Sequence, residues 1–235
     1  MKFCKLNFFK VFLYIKKSKL FTLENIELLY NYRYLNTVLL LEENMFYPIN
    51  LKIEDMNIII IGGGKVAYRK CMNFLAFNKK VRVISKDFIE EFEDLKDCID
   101  IIKDNYDEKY IKDAFIVVAA TNNQDVNRKI GLYCREHGKL VNVVDNANLS
   151  NFTVPSFVKR GDLLLSVSTG GKSPSLSSKI RKSLEEVYDE SYEEYVKLLG
   201  QVREIIIKNT VDIKERRVKL KEILDLSIEE LKKIK

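Results

Sequence analysis

The chain has 235 residues, 46% of them hydrophobic and 31% charged with only three prolines, a globular composition with room for one domain of ordinary size plus an appendage. Of its formal charge of +6, residues 1–44 hold seven Lys/Arg against four Glu, leaving 33 against 30 for the remainder, too mild a balance for a general nucleic-acid binder. No apolar run approaches the ~20 residues of a membrane span, and Lys10, Lys16 and Lys17 break up the N-terminal apolar stretch with no small-residue cleavage site behind it, so neither a membrane anchor nor a secretory signal is expected.

Residues 1–44 come first and stand apart, rich in Phe, Leu, Tyr, Asn and Lys and without Gly or Pro. They read either as a partly helical N-terminal extension or as upstream sequence joined to a gene that starts at Met45, and we favour the second. Beyond Met45 a regular alternation begins. Strands are expected at Met56–Ile61, Lys80–Ser85, Ile99–Lys103, Ala114–Ala119 and Leu140–Val144, helices at Lys65–Phe77 and Asp125–His137, and weaker helical turns at Asp87–Leu95 and Asp107–Lys112. Apolar strands alternating with helices give an α/β, Rossmann-like fold, a parallel sheet covered on both faces, and right-handed crossovers put every strand's carboxyl end on one edge. Loops at Gly62–Gly64, Thr121–Gln124 and Asp145–Asn148 converge on that edge, where open α/β sheets bind ligands. Residues 45–150 are read as this nucleotide-binding domain.

The alternation stops after Asp145. Phe152–Val158 and Leu163–Ser168 read as two strands of a small hairpin turned by Lys159-Arg-Gly-Asp162. Ser168-Thr-Gly-Gly-Lys-Ser-Pro174 follows, with Ser173 suited to a helix N-cap and Pro174 to the first helical position. From there the pattern is almost wholly helical, and Leu184, Val187, Tyr188, Tyr192 and Tyr195 are spaced for one buried face. Residues 151–235 have little sheet left to pack on and are read as a hairpin and helical lobe for dimerisation and substrate.

The most informative stretch is Asn57-Ile-Ile-Ile-Ile-Gly-Gly-Gly-Lys-Val-Ala67, an apolar strand running straight into a glycine turn and a helix start. Gly62, Gly64 and Ala67 fit the G-x-G-x-x-G/A dinucleotide fingerprint: Gly62 for the tight turn, Gly64 for close approach to a pyrophosphate, Ala67 for helix-on-strand packing. The phosphates would sit on the helix N-terminus, where unpaired N–H groups favour anions, so Gly62, Gly63, Gly64, Lys65 and Val66 are candidate cofactor contacts. Cys4, Cys71, Cys98 and Cys134 form no C-x-x-C pair and read as reduced cytosolic thiols. His137, the only histidine, precedes Gly138 at a predicted helix end, which excludes a metal site of several imidazoles.

Beyond the glycine turn lies an ordered series of motifs: Tyr47-Pro-Ile-Asn-Leu51, Ile61-Gly-Gly-Gly-Lys-Val-Ala67, Ala119-Ala-Thr-Asn122, Val141-Asn-Val-Val-Asp145, Val154-Pro155 and Ser168-Thr-Gly-Gly-Lys-Ser-Pro174. Over about residues 45–190 the chain resembles the precorrin-2 dehydrogenase family, the siroheme synthase N-terminal module, some members of which also act as sirohydrochlorin ferrochelatases. The resemblance implies a stand-alone, NAD-dependent oxidation of precorrin-2 to sirohydrochlorin in siroheme and cobalamin biosynthesis. It also implies a homodimer whose second lobe exchanges contacts between subunits, and the reduced thiols place the expected protein in the cytoplasm.

Such an oxidation removes a hydride, taken by the nicotinamide, and a proton, taken by a positioned base. Asp145 ends the fifth strand and matches the family's catalytic aspartate; without the resemblance it reads as a turn residue bonding its own backbone. If iron is inserted, Asp145 is also the carboxylate nearest that role. Thr121 and Asn122 resemble the family's cofactor-side segment, although Asn122 and Asn123 stand where aspartates are more usual. Ser85 and Lys86 end the second strand where a ribose-binding acid is expected, with Asp87 slightly beyond it; a lysine there would even favour a 2′-phosphate, so the choice of NAD over NADP rests on the resemblance. The substrate carries eight carboxylates, for which Lys172, Lys179, Arg181 and Lys182 offer cations; for Lys179 and Lys182 a solvated helix face is the plainer reading. Ser168 and Thr169 match substrate-side hydroxyls, and loop structure accounts for them equally well. Two other readings compete: a non-catalytic NAD-sensing dimeric module, and an enzyme that is chiefly a chelatase.

Overall fold

The computed structural model describes residues 46–234; the expectations for residues 1–44 and for Cys4 lie outside them. Residues 46–48 group with Thr169–Ser173 in one unit, and Ile49–Ser168 with the chain from Pro174 onward in a second that, among the described residues, holds every regular element. In the first, Gly170 and Gly171 both take left-handed backbone (φ +60° and +82°), which folds the loop back so that Thr169 accepts from the Lys172 and Ser173 N–H groups.

In the second unit β1 (Ile58–Ile61), β2 (Arg82–Ser85), β3 (Asp100–Lys103), β4 (Ile116–Ala119) and β5 (Leu140–Val143) form one parallel sheet in the order β3-β2-β1-β4-β5. This is the half-Rossmann order, with its switch between β1 and β4. Every residue of β1 and β4 is buried, as a strand covered on both faces requires, and each such Ile or Val contributes about 1.5–3 kcal/mol. Helix α1 (Lys65–Leu75) covers one face with Ala67, Cys71 and Phe74; α2 (Gln124–Glu136) covers the other with Ile130 and Cys134. Burial pushes the Cys71 thiol up to about 11 and Cys134 to about 12, which keeps both as unreactive core thiols. The weaker turns are 3₁₀ helices at Glu90–Leu95 and Glu108–Tyr110.

Helix α2 is capped at both ends. Asn123 caps its start, Oδ1 accepting from the Asp125 and Val126 N–H groups at 2.9 and 3.1 Å. At its finish Gly138 takes φ +64° and the Lys139 N–H returns to the Cys134 carbonyl at 2.8 Å, with His137 in the cap position as expected.

The hairpin consists of β6 (Ser156–Arg160) and β7 (Leu163–Val167), paired antiparallel from Ser156↔Val167 to Arg160↔Leu163. Pairing starts four residues later than expected, since Pro155 has no N–H to give a ladder and Phe152 instead packs its ring on the α1-side cluster. It also reaches further, so the turn is only Gly161-Asp162, with Gly161 at φ +56°. Helices α3 (Pro174–Val187), α4 (Ser191–Asn209), α5 (Ile213–Glu222) and α6 (Ile228–Leu231) complete the unit. The expected continuous buried face does not form: Val187 is 62% exposed and the tyrosines are half-buried. The cause is a break at Tyr188–Glu190, where the Asp189 carboxylate accepts from the Ser191 N–H and hydroxyl before the helix restarts. The apolar residues that do bury in this region are Val202, Ile206, Ile223 and Leu231, a small separate cluster.

Candidate functional site

The carboxyl edge of the sheet holds a cleft of about 570 Å³, formed by the loops after β1, β2, β3 and β4. Of the expected cofactor residues, Gly62, Gly63, Gly64, Ser85, Thr121 and Asn122 line it. Lys65 and Val66 do not, being exposed in the first turn of α1.

The three glycines do three different things. Gly62 sits at φ +124°, and a Cβ there would stand 2.2 Å from the Ala120 carbonyl oxygen, so β4 leaves room for no side chain. A Cβ at Gly63 would stand 2.1 Å from the Asp87 carbonyl oxygen; this glycine, which the fingerprint leaves unassigned, lets the loop after β2 close over the turn. A Cβ at Gly64 would meet nothing within 4 Å, and Gly64 is the N-cap of α1 with no side chain capping it and no acidic residue in the first turn. Open space beside an uncapped helix N-terminus fits an anionic pyrophosphate: N–H groups and dipole are left for a ligand to satisfy.

At the far side, the Ser85 hydroxyl is spent on the Asp87 carbonyl at 2.8 Å, and Lys86 lines the cleft. Asp87, just past the end of β2, lines the cleft, and so does an acid one strand over. Asp104, immediately after β3, lines the cleft, its N–H bonded to the Ser85 carbonyl at 3.1 Å. Tyr110 donates to its Oδ2 at 2.5 Å and the Asn105 N–H to its Oδ1 at 2.7 Å, and these bonds hold its carboxyl below the ordinary range. Sequence reasoning stopped at Lys103 and missed it; an acid directly after a predicted strand was the available signal.

Asp145 is exposed just beyond β5 and does not line the cleft. It is nevertheless tied to it. Asn127 on α2 donates from Nδ2 to Asp145 Oδ2 at 3.0 Å and to the Thr121 carbonyl at 3.0 Å, while its Oδ1 accepts from the Thr121 N–H at 3.1 Å and lies 2.7 Å from the Thr121 hydroxyl. Of the three loops expected to converge, two therefore line the cleft and the third is joined to it through Asn127. Thr121 is held by this network and by the Asn123 N–H, which donates to its hydroxyl at 3.2 Å.

Ser168 is exposed just past β7, and Thr169 and Lys172 belong to the first unit, where the Thr169 hydroxyl accepts from the Ser173 N–H at 3.0 Å. Lys179 and Lys182 are exposed on α3, as their plainer reading had it, and Arg181 is ion-paired with Glu185. Among the described residues no three His, Cys, Asp or Glu side chains group as a metal site, and no helix is long and apolar enough to cross a membrane.

Two family models match in succession: one described as "Putative NAD(P)-binding" over residues 49–156, and the sirohaem biosynthesis protein central region over 160–186. The precorrin-2 dehydrogenase of Methanosarcina barkeri is 31% identical over 191 residues, 77% of this chain and 84% of that protein; its counterpart from Priestia megaterium is 29% identical over 181 residues, 76% and 89%. The siroheme synthase of Nitrosomonas europaea is 29% identical over 175 residues, and there the match spans only 37% of the relative's length. Among solved structures, SirC, a precorrin-2 dehydrogenase, superposes with a TM-score of 0.66 at 28% identity, covering 80% of this chain and 96% of that one.

Proposed function

The chain belongs to the precorrin-2 dehydrogenase family, and on that premise we propose that it oxidises precorrin-2 to sirohydrochlorin with NAD, as a step of siroheme biosynthesis. The observation that carries the reading is the cleft itself, where the Gly62–Gly64 turn and the Thr121 loop meet at the switch between β1 and β4 and Asp145 is tethered to the latter. When bound, NAD supplies the hydride acceptor. The chain's own residues do the rest. Gly64 and the uncapped start of α1 would hold the pyrophosphate, and Asp104 would serve as acceptor for a ribose hydroxyl. Thr121 and Asn122 line the path toward the nicotinamide. The substrate loses one hydride and one proton as a saturated bond becomes a double bond, and the Asp145 carboxylate takes the proton.

In this reading residues 45–150 hold the cofactor, and 151–235 form the lobe that meets substrate carboxylates and a second copy of the chain. Ser168, Thr169 and Lys172 supply hydroxyl and cationic contacts to those carboxylates. A homodimer is supported by α3, on which Leu176, Ile180 and Val187 fall on one stripe and are 49%, 39% and 62% exposed. The enzyme works in the cytoplasm, in keeping with its free Cys71, Cys98 and Cys134.

Purified chain is mixed with precorrin-2 and NAD, and NADH and sirohydrochlorin are followed by absorbance. Stoichiometric formation of both is expected, and no NADH with intact precorrin-2 overturns the reading. A second cuvette with sirohydrochlorin and Fe²⁺, without NAD, tests whether the chain also inserts iron, with Asp145 as the carboxylate involved.

A further inference from the structure

On helix α2 the buried positions are Asn127, Ile130, Gly131 and Cys134, so one amide stands on the stripe that packs against the sheet. Asn127 is 0% exposed, and a buried amide costs about 1–3 kcal/mol wherever a bond is left unmade. None is. Its Oδ1 takes the Thr121 N–H at 3.1 Å and lies 2.7 Å from the Thr121 hydroxyl; one Nδ2 hydrogen goes to the Thr121 carbonyl at 3.0 Å. These three contacts suffice to hold the cofactor loop against α2. The fourth, from Nδ2 to Asp145 Oδ2 at 3.0 Å, does nothing for that loop, since it crosses to the end of the neighbouring strand.

We propose that Asn127 is a positioning residue that sets the Asp145 carboxylate at a fixed spacing from the cofactor loop, an inference that rests on the dehydrogenase reading with Asp145 as base. Asp145 is exposed and follows a short turn, so an untethered carboxylate there samples several rotamers. With Oδ2 committed to Asn127, the second oxygen is left to take the proton. Because the same amide grips Thr121 by backbone and hydroxyl, the loop beside the nicotinamide and the base move as one piece. Holding reacting groups at a near-attack spacing is worth much: about 1 Å of misplacement costs up to ~10²-fold.

The test is a double-mutant cycle on the full chain, measuring precorrin-2 turnover with enzyme in excess, the NAD dissociation constant and the melting curve. Asn127→Ala is expected to lower kcat roughly 10- to 100-fold, and the same substitution made on top of Asp145→Asn to lower it no further. Asn127→Asp serves as the near-isosteric second variant. It keeps an acceptor for Thr121 but turns a carboxylate instead of a donor toward Asp145, and the same loss is expected. An equal fall in kcat in both backgrounds shows that Asn127 only holds the loop and overturns the proposal, as does wild-type kcat in either folded single variant. A wild-type chain that leaves precorrin-2 unoxidised is a different failure, in which the dehydrogenase reading falls and takes this inference with it.

Discussion

The sheet half and the C-terminal half of the chain solve the burial problem differently. In the sheet, β1 and β4 are buried at every residue, and α1 and α2 each place an apolar stripe on an opposite face. Nothing outside one copy is needed. Beyond β5, α3 buries only Ser177 and α5 buries nothing, while one cluster around Val202, Ile206, Ile223 and Leu231 holds the last helices together. The exposed stripe of Leu176, Ile180 and Val187 belongs to this half. One half is a finished core; the other leaves apolar side chains exposed in the single copy.

Substitutions in the sheet half should therefore strike chemistry or fold, and those on α3 should strike association alone. The largest effect is expected at Asp145. Asp145→Asn keeps the turn and can still meet Asn127, but removes the basic carboxylate; precorrin-2 oxidation should fall by about 10²- to 10⁴-fold. NAD affinity and melting temperature should barely move, and wild-type turnover by this variant would return Asp145 to a turn residue. Next come the glycines, which separate fold from ligand. Gly62→Ala forces a Gly-only backbone conformation, worth up to ~3 kcal/mol, and drives a Cβ into the Ala120 carbonyl. For a chain of this size a loss of ~3 kcal/mol corresponds to about 6–12 °C in melting temperature. Gly64→Asp has open space for its side chain, so its melting curve should stay put while NAD affinity collapses under charge repulsion. Matching effects in the two variants would erase the distinction.

A smaller effect on the single chain, but a decisive one for the comparison, is expected from Leu176→Glu with Ile180→Glu. Both side chains are exposed in one copy, and substitutions at such sites usually change stability by less than about 0.5 kcal/mol. If a second copy covers the stripe, two buried glutamates should dissociate the dimer in sedimentation while the sheet half still binds NAD. An intact dimer carrying both charges places the interface elsewhere.

The same division explains what could be read in advance. The five strands, α1, α2 and the Gly138 end of α2 were legible because a strand buried on both faces is an unbroken apolar run and a helix on a sheet keeps one phase from end to end. The order of motifs led to the family, and six of the cofactor residues do line the cleft. Two hidden members lay in plain view. Asn127 shares the i, i+3, i+7 stripe of Ile130 and Cys134, yet a polar residue in an amphipathic helix is ordinarily taken for its wet side. Asp104 was hidden by attention to the end of β2, although parallel register brings the end of β3 level with it. The C-terminal face misled for a physical reason: spacing from Leu184 to Tyr195 is helical throughout, but Asp189 offers its carboxylate to Ser191 and the chain turns there. A face broken in this way has no continuous burial for periodicity to predict.

The smallest expected effect is on Asp104, and it has a sign. The Tyr110 hydroxyl, then the Asn105 N–H, hold this carboxyl below its ordinary value, and the Tyr110 phenol is in turn pushed up, first by its bond to Asp104. A depressed carboxyl binds its proton later in the folded chain than in the unfolded one, so its stabilisation is complete above the unfolded value of about 3.9 and disappears as pH falls through the folded value. The phenol runs oppositely. Its raised value gives stabilisation that is whole below about 10 and declines as pH climbs past that point. Tyr110→Phe keeps the ring that packs against the α2-side cluster and removes only the bond. Wild type should thus exceed this variant in urea midpoint by a modest, constant margin near neutrality, and the two curves should converge at both the acid and the alkaline end. A margin that persists into acid would mean that Asp104 is not held by Tyr110. The cleft edge would then owe its shape to the backbone of β3, and Tyr110→Phe should leave NAD affinity where it was; if the bond does hold Asp104 against the ribose, affinity should weaken along with the midpoint and recover none of it by changing pH within the neutral range.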